Sequence, residues 1–391
     1  MNYEIDMKKT ERIFDIDSKT SVFDATVLSC EQKEDGLYAV VLDKTAFFPN
    51  EGGQSSDGGN IDGIEVISVD EKNGMIIHTL GGAIESGKSV RGEIDFAGRY
   101  RKMQDHTAEH IVSGIIYSLF GYNNVGFHLG DDYMTADFDG ELTEDDILLV
   151  ETKANEAVYA CRPIRAYYPD AEELARMEYR SKLDFYENVR IVEIEGVDRC
   201  ACCAPHVEST GEIGLIKIVE AIRYKGGMRL TMLAGSDALD DYRHRLEQIK
   251  HISIAISSKQ SEVAIGVDRM LCEIGELKGK ISAMKRELMS YKLERIGYTD
   301  ESILLFESEG DMLDMRNFVN EAVKKTGKLC ACFSGEDGSG YKYIIASENI
   351  PLRELSVKIR ESLGGKGGGS DVMIQGSVTA SRDQIQDFFK F

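Results

Sequence analysis

A long helical segment in the second half of the chain most restricts how the chain can fold. Residues 237–296 contain no proline and only isolated glycines, and apolar side chains recur there at alternating steps of three and four positions. These side chains are Val267, Met270, Ile274, Leu277, Ile281, Met284, Leu288 and Tyr291. The spacing is that of a coiled-coil seam. It predicts a helical hairpin or coiled coil over 237–298, which either packs on its own domain or binds a partner helix.

Two regions precede this segment. Residues 1–95 contain short apolar runs separated by turn signals such as 57–59 and 72–74, a spacing typical of a small β-barrel. A helical pattern over 96–121 is then followed by alternating strand and helix patterns, which predicts a second, α+β domain over 96–236.

A separate α/β module is predicted over 299–391. It contains strand patterns at 303–306, 329–333 and 341–346, helical patterns near 315–325 and 351–363, and a glycine-rich loop at 364–369. The predicted fold class is therefore α+β and multidomain.

Charge and composition limit the partners and the compartment. The 391 residues carry a formal net charge of -22 and should repel nucleic acid on average, so any RNA must bind local basic patches. No run of about 18 apolar residues is present, which argues against a membrane span, and residues 1–17 lack the apolar core of a secretory signal. We therefore expect a cytoplasmic protein, whose clustered cysteines serve a metal or catalysis rather than disulfides.

Two short segments carry metal-binding residue types. His106 and His110 are four positions apart, so both imidazoles lie on one face of a helix and can bind one ion. The segment 200–206 contains three cysteines and His206, and thiolate and imidazole are ligands that zinc favours. Glu109 leaves a second interpretation open, because H-x-x-E-H is also a pattern of zinc peptidases in which the glutamate activates water.

Four stretches, in order along the chain, resemble the AlaX family of free-standing alanyl-tRNA editing proteins in its longer form, which has a DHHA1-type C-terminal domain. They also resemble the editing half of alanyl-tRNA synthetase. The stretches are 45–57, 103–110, 200–214 and 364–369. The resemblance implies that 96–236 is an editing domain and 299–391 a DHHA1-type domain.

The resemblance also implies a zinc site. The family's H-x-x-x-H and C-x-x-x-H ligands fall on His106, His110, Cys202 and His206. This chain departs from the family at 203–205, where Gly-Gly-Thr is common, and the extra thiols Cys200 and Cys203 leave the identity of the sulfur ligand open.

The implied substrate-binding residues are Thr45, Gln54 and His128, and the implied catalytic group is a zinc-bound water with Thr45 and His128 as candidates. The implied activity is hydrolysis of the ester between tRNA(Ala) and a wrong amino acid, serine or glycine. A synthetic pocket that accepts alanine cannot strongly reject either of these, so a second, hydrolytic site must sort them. A hydroxyl such as that of Thr45 would favour serine, and zinc would position the ester or activate water.

The expected partners are tRNA and a second copy of the chain. Arg223, Lys225, Arg229 and Lys366 are the candidates for RNA contact, and the C-terminal half is expected to form a homodimer through 267–291. A different class of function stays open, an RNA-binding or dimerising protein whose zinc is purely structural. A closed shell of four protein ligands would favour that class, and an open water position would favour catalysis.

Overall fold

The computed structural model describes residues 9–130, 132–181 and 189–390, and the chain divides into two compact units, Met1–Lys250 and His251–Phe391. Both units combine helices with sheets, which confirms the predicted α+β, multidomain class. The first eight residues, part of the stretch in which no secretory signal is predicted, lie outside the described residues. Among the helices of the described residues, none has the length and apolar character needed to cross a membrane.

The first unit is built mainly of strands. Its strands are β1 (Glu11–Arg12), β2 (Val22–Gln32), β3 (Tyr38–Leu42), β4 (Lys44–Thr45), β5 (Gly59–Ile61), β6 (Ile64–Lys72), β7 (Met75–Leu80), β8 (Ser89–Ile94), β9 (Asn124–Leu129), β10 (Met134–Phe138), β11 (Ile164–Tyr167), β12 (Ile191–Ile194), β13 (Asp198–Ala201), β14 (Ile216–Tyr224) and β15 (Gly227–Ala234). Its helices are α1 (Ile13–Ile16), α2 (Phe96–Phe120), α3 (Glu144–Tyr159) and α4 (Ala171–Arg176), and α5 (Gly235–Ala255) begins in this unit.

Six of these strands form a closed antiparallel barrel in the order β2-β3-β7-β6-β5-β8. Its core contains Val40, Leu42, Ile61 and Leu80, all fully buried. The alternation of buried and exposed residues along β2 and β8 is what places one face of each strand in this core.

Helix α2 connects the barrel to the rest of the unit. The fully buried Arg99, in its first turn, donates through Nε to the Asp57 carboxylate (2.9 Å) and through a terminal nitrogen to the Ala46 carbonyl (2.6 Å). Farther along, α2 packs with the sheet β14-β15-β10-β9 in a core that includes Met103 and Ile111. A three-stranded sheet, β11-β12-β13, leads into residues 200–206, which we call the cysteine segment.

The second unit holds a five-stranded sheet in the order β16-β17-β18-β20-β19. Its strands are β16 (Ile303–Glu307), β17 (Cys330–Glu336), β18 (Gly340–Ala346), β19 (Lys366–Gly369) and β20 (Met373–Val378), and its helices are α6 (Val263–Arg295), α7 (Met312–Ala322), α8 (Leu352–Ser362) and α9 (Arg382–Phe388). Helix α7 covers a core with Cys330 and Ile344, and α8 covers a core with Phe333 and Ile345.

Two helices, α5 and α6, occupy the segment predicted as a helical hairpin or coiled coil, and residues 256–262 separate them. One prediction for the C-terminal half needs correction. The glycine-rich stretch is not a loop, because its residues 366–369 form the edge strand β19. A Cβ on Gly367 would lie 2.3 Å from the Gln375 carbonyl oxygen, so glycine permits this close pairing. The domain boundaries at 95, 236 and 298, the DHHA1-type identity and the coiled coil stay predictions.

Candidate metal centre

Four side chains from two distant segments converge in the first unit. The ligand atoms of His106, His110, Cys202 and His206 all lie within 4.8 Å of one another. The Cys202 Sγ lies 3.6 Å from His106 Nε2 and 3.4 Å from His206 Nε2. In a tetrahedral zinc site, bonds of about 2.3 Å to sulfur and 2.05 Å to nitrogen separate these donor atoms by about 3.6 Å. The residues therefore fit a zinc ion.

Local structure explains how each segment presents its ligands. The Asp95 side chain caps the N-terminus of α2 by accepting from Gly98 N, and Gly121 ends the helix in the left-handed conformation (φ 73°). Two turns of this helix carry His106 and His110, whose ring centroids are 5.4 Å apart.

The cysteine segment is held by one arginine. A terminal nitrogen of the Arg190 guanidinium donates to the carbonyl oxygens of Cys202 (3.1 Å) and Ala204 (2.8 Å), and the Cys202 amide donates to the Arg190 carbonyl (3.0 Å). These bonds shape the turn so that Cys202 and His206 face α2.

Neighbouring side chains orient two of the histidines. The Nδ1 of His106 lies 3.0 Å from Gln54 Oε1, and the Nδ1 of His206 lies 3.0 Å from the Thr107 hydroxyl oxygen. Because Thr107 donates its own proton to the Met103 carbonyl (2.6 Å), its oxygen accepts from His206. Both rings thus carry their proton on Nδ1 and keep Nε2 for a metal, an arrangement common to metal-binding histidines.

Burial sets the protonation of the ligands. Burial, followed by the nearby His110 and His106, lowers the pKa of His206 well below its usual value, so this imidazole is neutral at pH 7. Burial and the neighbouring Cys203 raise the pKa of the Cys202 thiol well above its usual value. A thiolate at this buried position therefore requires a nearby positive charge. A divalent metal ion would provide that charge and displace the proton of the thiol.

The two extra cysteines occupy different surroundings. Cys200 is buried and lies with His110 and Asp198 in a second group of potential ligands. Cys203 lies beside Gly52, and burial, followed by the Glu51 carboxylate, raises the pKa of its thiol to about 12. Among the described residues, Cys202 is the cysteine whose sulfur groups with all three histidines.

A cavity of about 460 Å³ opens onto the cluster. Three of the four candidate ligands, His106, His110 and Cys202, line it. Its walls also include Gly52, Gly53, Glu109, Phe127, Tyr168 and Arg190. Gly53 has φ +81°, and a Cβ there would lie 2.8 Å from the Phe127 carbonyl oxygen. Only glycine therefore lets this turn approach β9 so closely. The volume is in the range that binds small organic molecules or the end of a larger one.

The predicted substrate residues are placed differently from one another. Gln54 contacts His106, as described. Thr45 is fully buried, and its hydroxyl lies 2.9 Å from His78 Nε2 inside the barrel. His128 is exposed and is not brought to the cluster: side chains alternate along β9, and it is Phe127 whose ring lies 4.8 Å from the His106 ring. Strand β9 thus faces the cluster through Phe127, the residue next to His128.

Three of the predicted RNA-binding residues share the β14–β15 hairpin. Arg229 lies over the ring of Tyr224 at 3.9 Å and pairs with Asp137 (2.6 Å), and the Lys225 Nζ lies 4.9 Å from the same ring. Arg223 pairs with Glu141 at 2.9 Å. Lys366 is exposed on the edge strand β19 of the other unit.

Residues of the site that sequence reasoning missed include Thr107, Arg190, Phe127 and Asp198. Thr107 could have been noticed, because it lies between the two histidines. The others reach the site through strand pairing and packing, for which no local pattern exists.

Comparisons with known proteins point to one family. Residues 189–231 match the family described as the threonyl and alanyl tRNA synthetase second additional domain. The alanyl-tRNA editing protein AlaX-L of Pyrococcus horikoshii is 29% identical over 396 residues, which cover 96% of each chain. The alanine–tRNA ligase of Methanococcus vannielii is 28% identical over 410 residues. That match covers 98% of this chain and 44% of the ligase, so the chain spans less than half of the ligase.

A solved structure shares a more limited likeness. The C-Ala domain from Aquifex aeolicus alanyl-tRNA synthetase is 18% identical, with a TM-score of 0.20, and the match covers 25% of this chain and 93% of that domain. A TM-score this low supports no conclusion about the fold. The resemblance carried by the four motifs is confirmed by the sequence relatives: the chain is related along nearly its whole length to a free-standing alanyl-tRNA editing protein, and to part of the alanine–tRNA ligases.

Proposed function

We propose that the protein is a hydrolase that removes a wrongly attached amino acid, serine or glycine, from tRNA(Ala). The observation that carries this proposal is the convergence of three histidines and Cys202 beside a cavity that His106, His110 and Cys202 line, in a chain related to an alanyl-tRNA editing protein. In this reaction water adds to the acyl carbon, the bond from that carbon to the ribose oxygen breaks, and the ribose oxygen leaves with a proton.

His106, His110, Cys202 and His206 would hold zinc. Because four protein ligands close a tetrahedral shell, the ion would have to take a fifth ligand to polarise an ester carbonyl or to lower the pKa of a water molecule. Gln54 and Thr107 keep the Nε2 atoms of His106 and His206 directed at the ion. The Gly52-Gly53 turn leaves room above the ligands for the aminoacyl group, since side chains at these positions would fill the space toward Cys203 and β9.

The choice between serine and glycine is a finer proposal. Thr45 as the hydroxyl that contacts serine stays a prediction, and so does His128 as a group that holds the ester or water. In the structure the Thr45 hydroxyl bonds to His78, so contact with serine would require it to exchange this hydrogen bond.

The proposed macromolecular partners are mischarged tRNA(Ala) and a second copy of the chain. Arg223, Lys225, Arg229 and Lys366 are proposed to contact RNA phosphates. The apolar stripe on α6, which consists of the eight regularly spaced side chains from Val267 to Tyr291, is proposed to form the dimer. A cytoplasmic location is the compartment in which such a substrate occurs, and it stays a prediction.

The peptidase interpretation of H-x-x-E-H has less support. It gives no role to Cys202 and His206, which lie with the histidine pair. The Glu109 carboxylate also accepts from the Ser113 hydroxyl (2.5 Å) and from the Asn124 amide, so it is engaged in holding α2 and β9 together.

The test is deacylation of seryl-, glycyl- and alanyl-tRNA(Ala) by the purified full chain. We expect hydrolysis of the seryl ester in preference to the alanyl ester. His110→Ala should lose zinc in elemental analysis and lose roughly 100-fold or more in rate, because metal assistance supplies several kcal/mol.

His244→Ala is the matched control, because His244 is an exposed histidine on α5. It should retain both zinc and rate. A wild-type protein that binds zinc and tRNA without hydrolysing any of the three esters would instead establish the structural, non-catalytic role.

A further inference from the structure

His110 differs from the other two histidines in the group that lies next to its Nδ1 atom. Its Nδ1 is buried and has no aligned hydrogen-bond partner among the described residues, although the Oδ2 of Asp198 lies only 3.2 Å away. Both side chains are almost fully buried, with 3% and 2% of their surface exposed. A buried N–H next to a carboxylate oxygen is poised for a charge-assisted hydrogen bond that needs only a small rotation of the ring.

Asp198 is itself held in place by an arginine. Arg180 donates from Nε to Oδ1 (2.7 Å) and from a terminal nitrogen to Oδ2 (2.8 Å), a two-bonded fork that fixes the plane of the carboxylate. The guanidinium also compensates the charge of a carboxylate that burial alone would disfavour. Asp198 therefore has a defined orientation without any metal.

The packing of α2 allows this approach. Gly114 lies one turn after His110 on the same helix, and a Cβ there would lie 2.7 Å from both the Asp198 Cβ and the Val197 carbonyl oxygen. Any other residue would push the start of β13 away from the helix, and Asp198 away from His110. The glycine thus serves the contact between the histidine and the carboxylate.

We propose that Asp198, fixed by Arg180, is a positioning residue that orients His110 and strengthens its bond to the metal; this inference rests on the proposed zinc site. A carboxylate that accepts the outer N–H of a metal-bound imidazole sets its tautomer and raises its basicity. The amide of Gln54 and the hydroxyl of Thr107 do this for the other histidines without charge. Of the three side chains that contact a histidine Nδ1, Asp198 is the charged one.

Asp198 could instead bind a metal directly, together with His110 and Cys200. The Arg180 fork argues against that role, because both carboxylate oxygens already accept from a cation, which would repel a metal ion at the same carboxylate. The same geometry suits a carboxylate that accepts one further N–H from His110.

The test compares zinc affinity in the wild type and in Asp198→Asn, using the purified full chain in competition with a chromophoric chelator. We expect the variant to bind zinc about 10–100-fold more weakly, the usual cost of removing such a partner. Cobalt substitution gives a second readout, since a change in ligand orientation shifts the visible absorption of the bound Co²⁺.

Glu193→Gln is the matched control, because it breaks another Arg–carboxylate pair, with Arg199, between β12 and β13. It should leave zinc affinity unchanged. Thermal unfolding of the metal-free variants separates a general loss of stability from a loss of affinity. If Asp198→Asn does not fold, Arg180→Gln replaces it, with a loss of affinity of about 10-fold expected.

The outcomes separate the two proposals. A wild-type chain with no affinity for zinc refutes the zinc site itself. A wild-type chain that binds zinc, with Asp198→Asn or its replacement binding equally well, overturns the role of Asp198 and leaves the zinc site standing.

Discussion

At the scale of single residues, Thr45 and His78 form a closed set of hydrogen bonds inside the barrel. The Nδ1 of His78 lies 3.1 Å from the Val40 carbonyl, which can only accept, so the ring carries its proton there. The Nε2 then accepts from the Thr45 hydroxyl (2.9 Å), whose oxygen accepts from the Phe47 amide (3.1 Å). Both polar side chains are satisfied in a core that excludes water, and this requires a neutral imidazole.

This arrangement predicts an acid-sensitive barrel. Burial lowers the pKa of His78 from 6.5 to about 4, so below pH 6.5 the unfolded chain binds a proton that the folded chain refuses. Stability from this residue is therefore complete above pH 6.5 and is lost as the pH falls toward 4, by about 3 kcal/mol in all. Urea unfolding of the wild type and His78→Gln at pH 7, 6, 5 and 4 measures it.

The glutamine keeps an acceptor for Thr45 and does not titrate. We expect the wild type to lose more stability than the variant between pH 7 and pH 4. The carboxylates and the remaining histidines titrate in both proteins and contribute equally. Parallel curves for the two proteins would show that His78 does not cause the loss.

The proposed ligands His106 and His110 could be paired from sequence because their spacing is local, since positions i and i+4 on a helix share a face. Cys202 could be chosen among the neighbouring cysteines only through the family resemblance. Asp198 and Arg180 could not be predicted, because the contact with His110 depends on how β13 packs against α2. Nor could the Thr45–His78 pair, whose members are 33 positions apart on different strands.

At the scale of elements, α6 is the feature that most closely follows its sequence pattern. All eight stripe residues lie on this one helix, and each is between 39% and 69% exposed. The C-terminal end of α6 is less exposed, because Met289 and Leu293 pack against the core that α7 covers. Periodicity predicts such a helix and its apolar face, since both are local properties, but it does not say what covers the face.

Charging this stripe should dissociate the proposed dimer. Leu277→Glu removes an apolar side chain from each of two facing helices, and each burial is worth about 1.5–3 kcal/mol. We expect the dissociation constant to rise at least 100-fold by the same estimate. Light scattering over a range of protein concentrations measures it.

Ala283→Glu places the same charge on the opposite face of α6 and should leave the oligomer intact. A wild-type protein that is monomeric at every concentration would contradict the prediction. Equal dissociation by both variants would assign the effect to net charge rather than to the stripe.

The edge strand β19 shows the limit of local patterns. Glycine runs usually mark turns, and this one was predicted as a loop. Its conformation depends instead on pairing with β20, where the lack of side chains lets two backbones approach. Pairing of this kind is a long-range property.

At the scale of the whole molecule, the metal cluster and its supporting residues lie within the first unit. The cavity, the barrel and both ligand segments fall within Met1–Lys250. The two compact units divide after Lys250, within α5, and the start of this helix belongs to the first unit, where Asp237 pairs with Arg101 on α2 and Ala238 is buried.

A fragment of residues 1–250 should therefore retain zinc and hydrolyse the ester. It lacks the stripe and Lys366, so we expect a monomer with a raised KM for charged tRNA and an unchanged kcat. Steady-state kinetics and light scattering measure these quantities. A fragment that is dimeric, or that has the KM of the full chain, would show that the second unit does not supply these functions.

The two ligand pairs of the metal cluster are separated by 96 positions along the chain. At a synthesis rate of about 5–20 residues per second, Cys202 leaves the ribosome roughly 5 to 20 s after His106. During this interval the nascent chain contains two of the four proposed ligands, His106 and His110, and lacks the thiolate. Loading of the proposed zinc site would therefore be a late step of biosynthesis, because the full ligand set forms only when residues 200–206 pack against α2.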